Sequence, residues 1–323
     1  MSATKLPRID THSHYLPPSL YEAMNAYTAK DATFARLNAL MLSQGPDAKL
    51  RNAASRLAEM DAAGVAISVL SFPPPGIQFG SQENAARQAR AANDELIAAA
   101  ENAPGRFYVE VGLPLPFVGE SIAELNRVAS HRLVRGICLM TDSATWTLDE
   151  PRFDAIYARA GELGFPIMLH PSLEACPAAF GQWALTASLA PMVSSSLSAL
   201  RLILSGTLDR VPNFTPIVPH LGGVIPYLTQ RIDDLSGRGA AAHPLIHYLR
   251  TRLYYDTCSF HPPALRCACE TVGTGRLILG SDYPFRGTIE RCVADLEASD
   301  LSVEEKRAIA ATTAAHLFRI DVR

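Results

Sequence analysis

The sequence predicts a (β/α)8 barrel of the TIM type, and three observations carry that prediction. Eight short β-rich apolar runs recur along the 323 residues. Longer helix-patterned segments separate them, and no Gly/Ser linker or low-complexity tract splits the chain. The runs are continuous rather than alternating, as strands buried on both faces require. Eight βα alternations over about 280 residues fit one barrel domain spanning 1–323 better than a doubly wound sheet with a second domain.

In chain order the runs are Ile9–Thr11, Val65–Ser71, Phe107–Leu113, Gly136–Met140, Phe165–Leu169, Phe214–Val218, Leu253–Thr257 and Leu277–Gly280. Between them, Asp47–Ala63 places Leu50, Leu57 and Met60 near one helical face and stops at Gly64. Ser81–Ala103 is long, polar and Ala-rich, and ends before Pro104-Gly105. Pro151 opens a helix that ends near Gly164. Ser302-Val303-Glu304-Glu305 is a capping box for a last helix over Val303–Phe318. Two connections are long: residues 15–50 after strand one and 171–212 after strand five. Both are expected as insertions over the mouth of the barrel, where loops build active sites.

Hydrophobic residues make up 48% and charged residues 19%, so the chain can bury a core. A net charge of −3 gives no electrostatic reason for a nucleic-acid or anionic-membrane partner. No apolar run approaches the ~20 residues of a membrane helix, and Met1–Arg8 lacks a signal-peptide core. The six cysteines, Cys138, Cys176, Cys258, Cys267, Cys269 and Cys292, form no CxxC. Cys267 and Cys269 fall i, i+2 in a helical pattern, where their side chains diverge. A reduced, cytoplasmic protein is expected.

Chemistry belongs at the C-terminal ends of barrel strands. Strand one ends Asp10-Thr11-His12-Ser13-His14, strand five Leu169-His170-Pro171, strand six Pro219-His220-Leu221-Gly222-Gly223, and strand eight Ser281-Asp282-Tyr283-Pro284-Phe285. On a strand, i and i+2 point to the same side, so His12 and His14 can converge on one ion. His170 and Asp282 reach the same rim. Three imidazoles and one carboxylate suit a single divalent cation, Zn2+ first and Mn2+ second. A buried histidine taken alone is more often a packed core residue, and it is the convergence of strand ends that favours a metal. His220 could be a fifth ligand, a packing residue or a proton carrier. Four ligands nearly saturate an ion, so proton transfer is its expected role. His131, His243, His247 and His316 fall in helical or polar segments, where solvation or packing is the default; His261 follows strand seven and could line the mouth.

Ile-Asp-Thr-His-x-His, Leu-His-Pro, His-x-Gly-Gly, Tyr-Asp-Thr and Gly-Ser-Asp-Tyr-Pro-Phe, in this order along nearly the whole chain, resemble the amidohydrolase superfamily. More narrowly they resemble its decarboxylases, the group of aminocarboxymuconate-semialdehyde and γ-resorcylate decarboxylases. Ser68–Gly76, Gly112–Pro116 and Gly136–Pro171 look most like 6-methylsalicylate decarboxylases. The resemblance implies that His12, His14, His170 and Asp282 hold one divalent ion and that His220 donates a proton. It also implies a homodimer or larger homo-oligomer, in which Arg231 binds the carboxylate of a small acid in the neighbouring subunit. As a plain surface residue, Arg231 would instead pair with acids near it on its helix.

Two departures stand out. Thr313-Ala314-Ala315-His316-Leu317-Phe318 replaces the group's usual Asn-Ala-x-x-Leu-Phe, and Thr141–Trp146 departs from the 6-methylsalicylate pattern. Binuclear amidohydrolases bridge two metals with a carbamylated lysine at the end of strand four. Here that strand ends Ile137-Cys138-Leu139-Met140, and there is no lysine between Lys49 and Lys306. A one-ion site follows, with Cys138 the only other bridging candidate.

The expected reaction is metal-dependent, non-oxidative decarboxylation of an ortho-hydroxybenzoate-type acid, with His220 and Asp282 as catalytic residues. The alternative is a hydrolase, a lactonase or amidase, using a metal-activated water. A barrel with a vestigial site that only binds its ligand is the third reading. Among the strand-end aromatics Tyr15, Phe72, Trp146, Trp183, Phe260 and Phe285, the expected ring contacts are Phe285 and Trp183.

Overall fold

The computed structural model describes residues 7–322 except 44, 46–47, 142, 144, 173–177, 260 and 286–287. Cys176, Phe260, Asp142 and Asp47 therefore lie outside the described residues. Eight strands form one parallel sheet in sequence order: β1 Arg8–His14, β2 Val65–Ser71, β3 Phe107–Gly112, β4 Val134–Met140, β5 Ile167–His170, β6 Pro216–Val218, β7 Tyr254–Asp256 and β8 Leu277–Ile278. Every predicted strand is present. Four are buried along their whole length and the other four at all positions but one, which is why they read as unbroken apolar runs.

The sheet closes through discrete bonds rather than a ladder. Thr11 N–H donates to Leu279 O (2.8 Å), Asp282 N–H to His12 O (2.9 Å) and His14 N–H to Tyr283 O (2.8 Å). Strand β8 is shorter than predicted because Leu279 N–H leaves the sheet for Ile309 O at 2.9 Å. Ile309 lies in a π-helical turn, Ala308–Thr312, within the last helical segment. That segment begins with the predicted capping box: the Ser302 hydroxyl accepts from Glu305 N–H, and the Glu305 carboxylate from Ser302 N–H. Such a cap contributes about 1 kcal/mol.

The helices Ala53–Ala63 and Asp154–Leu163 end at Gly64 and Gly164 as predicted, both in the left-handed region. The first starts six residues later than its sequence pattern, because the Asn52 side chain caps it by accepting from Ala54 and Ser55 N–H. Apolar packing occupies two layers. Outside the sheet, Leu96, Leu125, Ile156, Leu202 and Leu249 seat the helices on the strands. Inside, Ile9, Ile67, Val69, Met168, Ile217 and Ile278 fill the barrel, with Phe318 and Ile320 against them. Polar ligands are thus left to the opposite, C-terminal end.

Both long connections are largely helical: Pro18–Thr28, Ala32–Leu37 and Ala39–Leu42 after β1, and Leu185–Ser188, Ala190–Leu204 and Thr207–Arg210 after β5. No helix among the described residues is long and apolar enough to cross a membrane.

Candidate metal centre at the C-terminal rim of the barrel

His12, His14, His170 and Asp282 converge. One potential ligand atom from each lies within 4.8 Å of all the others, and all four residues are buried. The two histidines of β1 bring their Nε2 atoms to 3.1 Å of each other, as the strand period requires. The Asp282 Oδ1 atom is 3.2 Å from His14 Nε2 and 3.5 Å from His12 Nε2.

Tautomers decide what these atoms can do. His12 Nδ1–H donates to Asp256 Oδ2 at 2.6 Å, His14 Nδ1–H to the Phe72 carbonyl at 3.1 Å, and His170 Nδ1–H to the Pro171 carbonyl at 3.0 Å. Carbonyls and carboxylates only accept, so each Nδ1 carries the proton and each neutral ring presents a bare Nε2 lone pair. Three lone pairs and a carboxylate oxygen face one point. His170 Nε2 is buried there with no hydrogen-bond partner among the described residues. An all-acceptor cluster repels itself unless a cation joins it, so the residues fit a divalent ion.

Electrostatics agree. Burial pushes the His14 imidazole down to about 4 and holds His170 well below the usual range, so both stay neutral, as ligands must. Burial also opposes charge on His12, but the adjacent Asp256 carboxylate reverses the effect and raises it to about 9. Burial acts against the Asp282 charge too, yet the imidazoles around it, His14, His220 and His12, keep it well below the normal carboxylate range. The centre calls for positive charge at His12 Nε2, which a metal provides as well as a proton does.

The backbone builds the cluster at some cost. His220 (φ 57°) and Asp282 (φ 54°) are left-handed without being glycine, at about 1–2 kcal/mol each. At Gly280 a Cβ would come within 2.7 Å of Asp256 Cβ and 2.9 Å of His12 Cβ. Only a residue without a side chain lets those two meet. At Gly223 a Cβ would stand 2.2 Å from the Met192 carbonyl oxygen, so the turn after β6 also needs glycine.

The sequence reading leaves out three residues of this neighbourhood. Asp256 ends β7; besides His12, it accepts from Cys258 N–H (2.9 Å) and Leu221 N–H (3.3 Å). Arg56 is fully buried, donates to Ser13 Oγ and the His14 carbonyl, and lies 4.7 Å over the Tyr283 ring. Asp10 binds Ser281 through N–H (3.0 Å) and Oγ–H (2.7 Å); burial raises its carboxyl to about 6. Asp10 and Asp256 both sit inside motifs already singled out, whereas an arginine on an amphipathic helix gives no sign of being buried.

His220 lies beside the cluster, Nε2 3.8 Å from Asp282 Oδ2. It opens onto a cavity of about 490 Å3 lined by Met192, Leu221, Tyr227, His261 and Cys267 among others. A second chamber of about 490 Å3 lies between the insertion after β1 and the loops after β2–β5, with Phe34, Gln78, Phe79, Trp146 and Ser172 in its wall. The Phe285 ring is half-buried with its centroid 5.3 Å from that of His14. Trp183 is 84% exposed and lines neither cavity. Arg231 is exposed on the helix Ile225–Ser236. Tyr15 is half-buried, and Phe72 lies in the core. Trp146 packs edge-on against Phe153.

Comparison with known proteins places these features. The chain is 28% identical over 292 residues to γ-resorcylate decarboxylase of Rhizobium radiobacter, covering 83% of this chain and 88% of that protein. It is 25% identical over 327 residues to 6-methylsalicylic acid decarboxylase of Penicillium expansum, covering 97% and 96%. In structure it matches 5-carboxyvanillate decarboxylase of Novosphingobium aromaticivorans, solved with manganese and 4-hydroxy-3-methoxy-5-nitrobenzoic acid. That match has a TM-score of 0.87 at 22% identity, over 99% of this chain and 97% of the other. The amidohydrolase family profile matches residues 9–320, and the chain belongs to that family.

Proposed function

We propose that the chain is a metal-dependent, non-oxidative decarboxylase of small hydroxybenzoates, with acids of the 6-methylsalicylate type as substrates. The observation that carries this reading is the buried set of four acceptors, with His220 placed against its carboxylate. The decarboxylases of hydroxylated aromatic acids among its relatives support it.

His12, His14, His170 and Asp282 would hold the ion. Three imidazoles and one carboxylate suit Zn2+ and accept Mn2+. The manganese in the 5-carboxyvanillate decarboxylase structure favours Mn2+ over the Zn2+ that the histidine count suggests. An ion bound there would supply positive charge to attract the oxygens of the acid.

Losing CO2 directly from an sp2 carbon would leave an unstabilised carbanion. His220 removes that obstacle by giving its proton to the ring carbon that bears the carboxylate. The C–C bond then breaks, its electrons restore the aromatic ring, and CO2 departs. Asp282 Oδ2, on the far side of its carboxylate from His14, steadies the charged imidazole before transfer. The cavity beside His220 has the volume of a small-ligand site, and Phe285 provides an apolar edge for the ring. Arg231 is exposed, and in a homodimer it would be available to the carboxylate of a substrate in the neighbouring subunit. A cytoplasmic setting suits cysteines that form no disulfide among the described residues.

The test is to strip the protein with a chelator, reload it with Mn2+ or Zn2+, and supply 6-methylsalicylate and 2,6-dihydroxybenzoate. Equal yields of CO2 and of 3-methylphenol or resorcinol respectively, restored by metal alone, are expected. Full turnover after exhaustive chelation would overturn the reading. A ring-opened or hydrolysed product without CO2 would replace it with the hydrolase.

A further inference from the structure

We infer that the N-terminal end of the barrel, opposite the metal centre, carries a binding site for a small phosphate dianion, built on Arg252, Arg276 and Arg319. The inference does not depend on the reaction proposed above, because barrel chemistry sits at the other rim.

A cavity of about 440 Å3 opens among the segments that lead into β5, β6, β7 and β8. Arg252 comes from the segment before β7 and Arg276 from the segment before β8, while His316 and Arg319 come from the end of the chain. Three guanidiniums and one imidazole thus line the cavity, and its wall contains no Asp or Glu among the described residues. All hydrogen bonds of the three arginines to described residues go to backbone carbonyls. Carbonyls accept N–H groups but do not neutralise charge, and a guanidinium stays charged at any working pH. On a chain of net charge −3, this end gathers three positive charges that no carboxylate balances.

The arginines are fixed in place and still have donors to spare. Arg252 gives Nη1 to the Leu208 carbonyl (2.7 Å) and Nη2 to that of Pro212 (2.8 Å), so it contributes mainly charge. Arg276 gives only Nε, to the Arg250 carbonyl at 2.8 Å, and rests 4.9 Å over the Tyr254 ring. Its two Nη groups, the fork that grips an oxyanion, remain available. Arg319 gives Nη2 to the Leu163 carbonyl and keeps Nη1 and Nε. Its guanidinium lies across Gly164, where a Cβ would stand 3.0 Å from Nη1. Arg319 is also left-handed (φ 51°), a conformation that suits glycine and strains arginine.

Three fixed positive charges and a free fork select a dianion with several acceptor oxygens, which a phosphate group provides. The volume, together with the Phe214 and Tyr254 rings in the wall, leaves room for an organic group on that phosphate.

The experiment titrates the Mn2+-loaded protein by calorimetry with inorganic phosphate and, separately, with phenyl phosphate. Ionic strength is held constant, and nitrate serves as the monoanionic control. Wild type is expected to bind phosphate at least tenfold more tightly than nitrate. Arg276→Gln and Arg319→Gln are each expected to weaken phosphate at least tenfold, with metal content and far-ultraviolet circular dichroism as in wild type. Arg276→Lys, which keeps the charge without the fork, should fall between wild type and Arg276→Gln. Tighter binding of phenyl phosphate would assign the site to a phosphorylated small molecule, and tighter binding of inorganic phosphate to the free ion. Phosphate affinity that survives both glutamine substitutions, as coordination at the metal would, overturns the inference. Equal affinity for nitrate overturns it too, since the arginines would then be a general basic surface.

Discussion

His12 Nδ1 stands 2.6 Å from Asp256 Oδ2, and both side chains are fully buried. A carboxylate behind a ligating imidazole fixes its tautomer and makes its other nitrogen more basic. In Asp256→Asn one oxygen must serve both the imidazole and two backbone N–H groups, and the amide nitrogen brings a competing donor. Metal affinity is expected to fall by about 10–100-fold, read by competition with a chelator, while the far-ultraviolet circular dichroism stays unchanged. An unaltered affinity would remove Asp256 from the centre.

His220→Asn separates binding from chemistry. Four other groups are proposed to hold the ion, so the variant should retain one ion per chain. The proton it can no longer deliver should cost about 10²–10⁴ in kcat. Loss of the ion along with activity would make His220 a ligand instead.

Arg56→Met probes the support beneath β1. The guanidinium is fully buried and holds Ser13 Oγ and the His14 carbonyl. Methionine fills much of the volume but leaves both acceptors without their donor. A loss of about 3 kcal/mol is expected, measured as the shift in a denaturant unfolding curve. A change below about 0.5 kcal/mol, typical of surface substitutions, would show that the contacts do not stabilise the fold.

Acid should act on the imidazoles of the rim. His14 is lowered to about 4 from an ordinary 6.5, and His170 is lowered as well. Between pH 6.5 and 4 the unfolded chain therefore binds protons that the folded one refuses, and stability falls as the pH drops through that window. The melting temperature should decline there, and a double His14→Asn, His170→Asn variant should lose most of that decline. An identical slope in the variant would assign it to other groups.

Much of the architecture is legible because its causes are local. Strands buried on both faces announce themselves as apolar runs, and the two-residue period of β1 alone brings His12 and His14 together. Partners that lie far along the chain are not legible in that way. His12 meets Asp256 across 244 positions, and Arg56 reaches Ser13 across 43. No periodicity records such pairs, and an arginine between apolar helix positions reads as a surface residue. The end of β8 depends on the π turn at Ala308–Thr312, for which a run of Ala, Ile and Thr gives no warning. Trp183 shows the converse: a large apolar side chain need not be inside.

The seam where β1 meets the end of β8 has a consequence for how the molecule matures. His14 Nε2 and Asp282 Oδ1, 268 positions apart, face each other at 3.2 Å, and the hydrogen bonds that close the seam join the same two stretches of chain. During synthesis His12 and His14 emerge well before His170, and Asp282 follows all three. Full occupancy must wait for the ends of the sheet to join, since contacts so distant carry the largest loop-closure penalty. An ion held by these four residues would join the first and last strands like a clasp, and its uptake would report the closing of the ring.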